Sequence, residues 1–128
     1  MIDELLELQK HSYAPYSKFF VSAIVVMKDG KKFKGVNVEN MSYGATICAE
    51  RSAIVAAISN GYGKGSFKEL NILVSSDKIG MPCFMCRQVI QEFFDTDSII
   101  RCYCLDGSFK EYKVEELCPY PFEQEELL

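Results

Sequence analysis

Three of the six cysteines in this 128-residue chain stand where thiolate chemistry is favoured. Cys48 lies in Ile47-Cys48-Ala49-Glu50-Arg51, and Cys83 and Cys86 lie in Met81-Pro82-Cys83-Phe84-Met85-Cys86-Arg87. Each stretch reads as the first turn of a helix. Ile47, Ile54, Val55 and Ile58 recur at helical spacing in the first, and Val89, Ile90, Phe93 and Phe94 do so in the second. Pro82 stands at or just before a helix start, where its missing N–H deprives no intrahelical partner. There, unpaired backbone N–H groups and the positive end of the helix dipole favour a thiolate. Three thiolates and the Glu50 carboxylate therefore predict a metal site with proton chemistry beside it.

Structural zinc takes four protein ligands, whereas catalytic zinc takes three and keeps a position for water. Cys48, Cys83 and Cys86 supply three. Cys102 and Cys104 share one face of a predicted strand and can pack as small hydrophobes, and Cys118 falls in the tail. The single histidine, His11, reads as a surface residue. Three thiolates on a divalent ion leave a net negative charge, which Arg51 or Arg87 can offset by donating to sulfur. Glu50, two residues after Cys48, can hang beside the metal without ligating it.

Those side chains need elements to carry them. Leu5, Leu6, Leu8 and Tyr13 predict an opening helix through about Lys10, ended by Ala14-Pro15. Phe20–Met27 reads as a buried strand, Lys28-Asp29-Gly30-Lys31 as a hairpin turn and Lys32–Val38 as the returning strand. A polar loop from Asn37 to Thr46 feeds the Cys48 helix, which Asn60-Gly61 stops. Leu70–Ser75 is a third strand, Asp77–Met81 a loop and Cys83–Phe94 the second cysteine helix. Ile99–Leu105 and Phe109–Val114 pair around Asp106-Gly107, and a short acidic tail, partly helical, runs from Glu115. This alternation implies one α/β domain over residues 1–128, with helices covering a mixed five-stranded sheet. Ligands in such folds sit at the carboxyl ends of strands, where helices begin, and the cysteines fall there.

Composition narrows the partners. A net charge of −4 and no run of lysine or arginine argue against tracking a phosphate backbone, so the expected substrate is small and no nucleic-acid partner is expected. The longest apolar run, near Val21–Met27, is far short of the roughly 20 residues a membrane span needs, so no membrane partner is expected. The acidic, amphipathic start Met1-Ile2-Asp3-Glu4-Leu5-Leu6 is wrong for a secretory signal, which makes a cytoplasmic location the default. In that compartment cysteines bind metal, catalyse or pack more often than they form disulfides.

Together, Cys48-Ala49-Glu50 and Pro82-Cys83-Phe84-Met85-Cys86 match the signature of zinc nucleobase deaminases. That signature is a ligand, one residue, glutamate, then Pro-Cys-x-x-Cys, here in the variant with cysteine first. From about Tyr13 to Phe122 the chain resembles the small, homotetramer-type cytidine deaminases. The stretches that carry the likeness are Tyr13 to Phe19, Gly35 to Asn40, Ile47 to Ala53, Pro82 to Val89, and Glu116 to Phe122.

The resemblance implies a three-layer fold of the cytidine deaminase type, with helices on both faces of the sheet. It implies a hydrolase of pyrimidine salvage that converts cytidine and deoxycytidine to uridine and deoxyuridine with release of ammonia. By its implication Cys48, Cys83 and Cys86 hold one Zn2+ per chain, and zinc-bound hydroxide attacks C4 of the ring. Glu50 would shuttle protons from water to N3 and then to the departing amino group. Asn37 and Glu39 match residues that hydrogen-bond the sugar hydroxyls, and Ala49 and Phe19 match residues of the pyrimidine pocket. Tyr43 matches a residue near the sugar across a subunit interface, and Phe122 an aromatic that enters a neighbouring subunit's site. The implied assembly is a homotetramer with active sites at subunit interfaces. Phe84 and Glu123 stand where the family usually has glycine, and Ser22 replaces a glycine in the first strand.

Plainer readings exist for each residue taken singly. Cys83 and Cys86 alone would suit a redox pair, and Glu50 alone an exposed carboxylate favoured by the helix dipole. Asn37 and Glu39 could face solvent, Phe19 and Phe122 could be core aromatics, and Arg51 and Arg87 could pair with acids. Rival functions are deamination of a cytosine-containing antibiotic of the blasticidin type, editing of polynucleotide cytosines, and a structural zinc module. That module would need a fourth ligand from Cys102, Cys104 or Cys118.

Overall fold

The computed structural model describes residues 1–123. Helix α1 (Ile2–Gln9) leads into the antiparallel pair β1 (Val21–Met27) and β2 (Lys32–Val36), then α2 (Ala49–Ser59) and β3 (Phe67–Val74). Helix α3 (Phe84–Phe93), β4 (Phe94–Tyr103), β5 (Phe109–Lys113) and the single turn α4 (Val114–Leu117) follow. The five strands form one sheet in the order β2-β1-β3-β4-β5. Only β3 and β4 run parallel, with α3 as their crossover. This is the mixed five-stranded sheet expected from the alternation of elements.

Strand β1 is buried along its whole length because both of its faces are covered. Val21, Ala23, Val25 and Met27 join Leu70, Ile72, Ile100 and Cys102 under Ala49, Ala53, Ile54, Ala57, Ile90 and Leu117. Ile24, Leu73 and Tyr103 face the other way and pack on Leu5 of α1. Helices thus lie on both faces. Ser22 uses the face opposite the larger core: its hydroxyl donates to the Leu5 carbonyl at 2.8 Å, tying α1 to the sheet.

Glycine matters most at Gly35 on β2. A Cβ there would fall 2.4 Å from the Ala53 nitrogen and 2.6 Å from the Ala49 carbonyl oxygen. Backbone atoms cannot swing aside as a side chain can, so only glycine lets α2 settle this close to β2. The Asp29-Gly30 turn closes the β1–β2 hairpin as expected, with Gly30 at φ +93°. Likewise Gly61, at φ +96°, follows the end of α2.

Several element ends depart from the periodicity, most by one or two residues. Strand β4 begins at Phe94 directly after α3, not at Ile99, and β3 begins at Phe67, not at Leu70. Asp95, Thr96 and Asp97 are exposed and polar, and β4 pairs with β3 at Phe94–Phe67 and again only from Ile99–Glu69, so the early start rests on one long-range pair that apolar patterning cannot reveal. Strand β2 stops at Val36, and Val38 instead makes isolated bridges to Tyr13 and Ile47.

Candidate active site

Cys48 is the N-cap of α2 and Cys83 the N-cap of α3, both in extended backbone. A helix start leaves N–H groups unpaired, and Cys83 Sγ accepts one of them from the Cys86 nitrogen at 3.4 Å. The Sγ atoms of Cys48, Cys83 and Cys86 lie within 4.8 Å of one another. Two segments far apart in sequence therefore deliver three soft ligands to one point. Among the described residues no fourth histidine, cysteine, aspartate or glutamate joins them. That donor set suits zinc, and it matches the three-ligand pattern that keeps a coordination position free.

The Arg51 guanidinium donates to Cys48 Sγ at 3.0 Å through Nη2. Such a bond offsets part of the negative charge that three thiolates would gather. The Cys48 thiol is lowered to about 5, first by hydrogen bonding from Cys86 and then by Arg51, while burial opposes both. Cys86, the other member of that pair, is raised by its bond with Cys48 and by burial. Glu50 is only 6% exposed. Burial raises its carboxyl above the ordinary carboxylate value, and the neighbouring Cys48 charge pushes the same way.

Cys48, Glu50 and Cys83 line a cleft of about 200 Å³ at the carboxyl end of β3. Phe19, Asn37, Ala49, Ile72, Val74 and Pro82 complete much of its wall. A second cavity of about 370 Å³ is lined by Tyr16, Ser17, Glu39, Tyr43 and Thr46, and Thr46 also lines the first. Residues 37–39 are gripped from two sides, by Tyr13 N to Asn37 O at 3.0 Å and by the reciprocal Val38–Ile47 pair at 2.9 Å. That double grip sets residues 37–39 alongside Ile47, the residue before Cys48, and Asn37 shares the first cavity with Cys48. Asn37 Oδ1 accepts from Val21 N at 2.9 Å, and its Nδ2 donates to Phe19 O at 2.8 Å. One N–H and one acceptor position of the amide remain for a ligand. Glu39 accepts from the nitrogens of Tyr16 and Ser17 at 3.0 and 3.1 Å and from the Ser17 hydroxyl. The hydroxyl, ahead of the two backbone bonds, holds its carboxyl below the usual range.

Other candidate residues fall outside the cleft. Arg87 donates to carbonyls and not to sulfur: Nε to Pro82 O at 2.8 Å and Nη1 to Leu117 O at 3.2 Å. Its guanidinium also stacks over the Phe84 ring at 4.5 Å. Phe84 is 78% exposed and lines neither cavity. Phe122 lies on the surface, 54% exposed, and Tyr43 stands edge-on to Tyr16. Cys102 packs in the core beneath the site, its thiol raised to about 12 by burial and then by the Glu50 charge. Cys104 donates to Asp106 at 3.1 Å, and His11 is exposed.

The sequence reading missed Ser17 and Thr46. Ser17 had a signal, since it belongs to the Tyr13–Phe19 stretch that carried the family likeness. Thr46 had none: a threonine in a polar loop looks like any other until the loop folds back.

Comparison with known proteins agrees with this geometry. The family model for the cytidine and deoxycytidylate deaminase zinc-binding region matches residues 1–102. A cytidine deaminase from Halalkalibacterium halodurans is 36% identical over 127 residues, covering 99% of this chain and 95% of the relative. A probable cytidine deaminase from Dictyostelium discoideum is 42% identical over 130 residues, covering 99% and 84% respectively. The crystal structure of cytidine deaminase from Burkholderia pseudomallei superimposes with a TM-score of 0.90 at 36% identity, over 94% of this chain and 95% of that one. With three convergent sulfurs, a buried glutamate beside them and likeness over nearly its whole length, the chain belongs to the cytidine and deoxycytidylate deaminase zinc-binding family.

Proposed function

We propose that this single-domain protein deaminates cytidine and deoxycytidine by hydrolysis, giving uridine or deoxyuridine and ammonia. The observation that carries the reading is a three-cysteine cluster, with no fourth protein ligand among the described residues, that meets a cleft through Cys48 and Cys83 beside the buried Glu50 carboxyl. Cys48, Cys83 and Cys86 would hold one zinc ion, which when bound supplies Lewis-acid polarisation of the attacking water. Arg51 offsets charge at Cys48.

Glu50 does the proton work. Its carboxylate takes a proton from the attacking water as the new C4–O bond forms, then delivers it to N3 of the ring. The same carboxyl passes the second proton to the amino group as the C4–N bond breaks and ammonia leaves. A carboxyl raised by burial holds a proton more readily than an exposed one, which suits a group that must both accept and donate near neutral pH. Asn37 offers its free N–H and Glu39 its remaining acceptor position to the sugar hydroxyls. Phe19 and Ala49 flank the pyrimidine.

The assembly we propose is a homotetramer with active sites between subunits, in which Tyr43 and Phe122 serve a neighbouring copy. Support comes from large apolar side chains left on the surface: Met41, Tyr43, Phe84, Met85 and Phe122 are each more than half exposed. A cytoplasmic role in pyrimidine salvage completes the reading. No helix among the described residues is long and apolar enough to cross a membrane.

The decisive experiment follows the loss of cytidine absorbance with purified protein while counting zinc per chain. Turnover with about one zinc per chain is expected from a three-ligand site that keeps a position for water. Turnover lost by orders of magnitude in Glu50→Ala, with zinc retained, would assign the proton carrier. Near-parental conversion of cytidine by that variant would refute the mechanism.

A further inference from the structure

Gln88 lines neither cavity, yet it holds the tail. Its Nε2 donates to Phe122 O at 2.9 Å, and its Oε1 accepts from Phe122 N at 3.1 Å. A side-chain amide that meets both polar edges of one residue's backbone fixes position and orientation together, as a pair in a β-ladder does. Residues 119–123 belong to no helix or strand, so this contact across 34 positions decides where they lie. The preceding residue, Arg87, grips Leu117 O and Pro82 O. Two successive side chains of α3 thereby fasten the tail at two points and join it to the turn just before Cys83.

We infer that Gln88 is a positioning residue: its amide sets the tail so that the exposed Phe122 ring stands as a fixed wall of the nucleoside pocket of a neighbouring copy. The inference rests on the deaminase reading and on the proposed assembly. Gln88 touches neither substrate nor zinc and acts only through the backbone of Phe122. An aromatic wall contacts the nucleoside equally before and during the reaction, so loosening it weakens binding without slowing the chemical step. The free tail would otherwise have to be ordered by each substrate that binds.

The test is a double-mutant cycle on the full-length, zinc-loaded protein, with KM and kcat for cytidine measured for each variant. Two hydrogen bonds lost in Gln88→Leu are expected to raise KM by about 5- to 100-fold, with kcat within about twofold and zinc content unchanged. Gln88→Glu keeps the acceptor and loses the donor, so its KM is expected to lie between parent and Gln88→Leu. In a Phe122→Ala background the Gln88→Leu change is expected to move KM by less than about twofold, because its route of action is gone. Hydrogen exchange at the Phe122 amide should be slow in the parent and fast in Gln88→Leu. An unchanged KM in Gln88→Leu, an undiminished effect in the Phe122→Ala background, or a fall in kcat with zinc loss would each overturn the inference. Absence of turnover by the parent protein would instead refute the deaminase reading, and with it any catalytic reach of the clasp.

Discussion

The two cysteine-bearing helices begin alike and are held in opposite ways. Each starts after a cysteine in extended backbone, but Ala49 and Glu50 at the start of α2 are buried, whereas Phe84 and Met85 at the start of α3 are 78% and 65% exposed. Helix α2 is pressed onto β2 by direct backbone approach at Gly35. Helix α3 is secured by the side chains of Arg87 and Gln88 reaching to neighbouring carbonyls. Sulfur partners differ too: Cys48 receives a guanidinium N–H and Cys83 a backbone N–H. The contrast has a physical sense. A proton carrier needs a low dielectric and a rigid support, and the inner start provides both. The outer start leaves one side of the cleft open to the surface.

Breaking the inner start should cost most. Glu50→Gln preserves shape but removes the base, so turnover of cytidine should fall by about 10²- to 10⁴-fold while zinc stays bound. A variant with parental kcat and full zinc content would contradict the assignment. Gly35→Ala forces a methyl into the α2 backbone and should destabilise the fold by about 1–3 kcal/mol, read as a lowered melting temperature. An unchanged melting temperature would show that α2 can shift freely. Arg51→Met removes the N–H from Cys48 and should weaken zinc binding by about 10- to 100-fold in a chelator competition. The parallel change at the outer start, Arg87→Met, should leave zinc affinity closer to the parent, because Arg87 touches no sulfur.

The pH dependence of stability sharpens the contrast at Glu50. Its carboxyl is raised in the folded state by burial, so the folded protein binds a proton that the unfolded chain has already released. That contribution is complete below the unfolded carboxyl value and is lost as pH rises through the higher folded one. In the chelated protein, the melting temperature of the parent should therefore fall relative to Glu50→Gln as pH rises above the ordinary carboxylate value of about 4. A difference that stays constant as pH rises above that value would remove burial as the cause. The smallest effect belongs to the outer start: Phe84→Ala forfeits an exposed stack on Arg87 worth about 0.5–1 kcal/mol, with catalysis unchanged. A large loss of turnover there would mean that α3 is not the tolerant end.

The local signals that could be read along the chain are those that act over a few residues. Glycine at Gly30 and Gly61, the continuous apolar run of β1 and the helical recurrence of Ile54 and Ile58 each report a nearby backbone preference. Ends fixed by pairing with a distant strand, such as Phe94 to Phe67, leave no local trace. The same divide runs through the site. Cys48, Glu50, Cys83 and Cys86 stood out by residue type and spacing, while Thr46 and Gln88 are ordinary residues that act only through what the fold sets beside them.

The sequence by itself determined the ligand set, the proton carrier next to it and the succession of strands and helices, because each depends on residue chemistry and short-range periodicity. Tertiary structure alone decided which arginine meets sulfur, that α2 lies deep and α3 shallow, and that Asn37 and Glu39 open into separate cavities. Those are distances between segments remote in the chain, and only close packing of the whole sheet and its helices sets them.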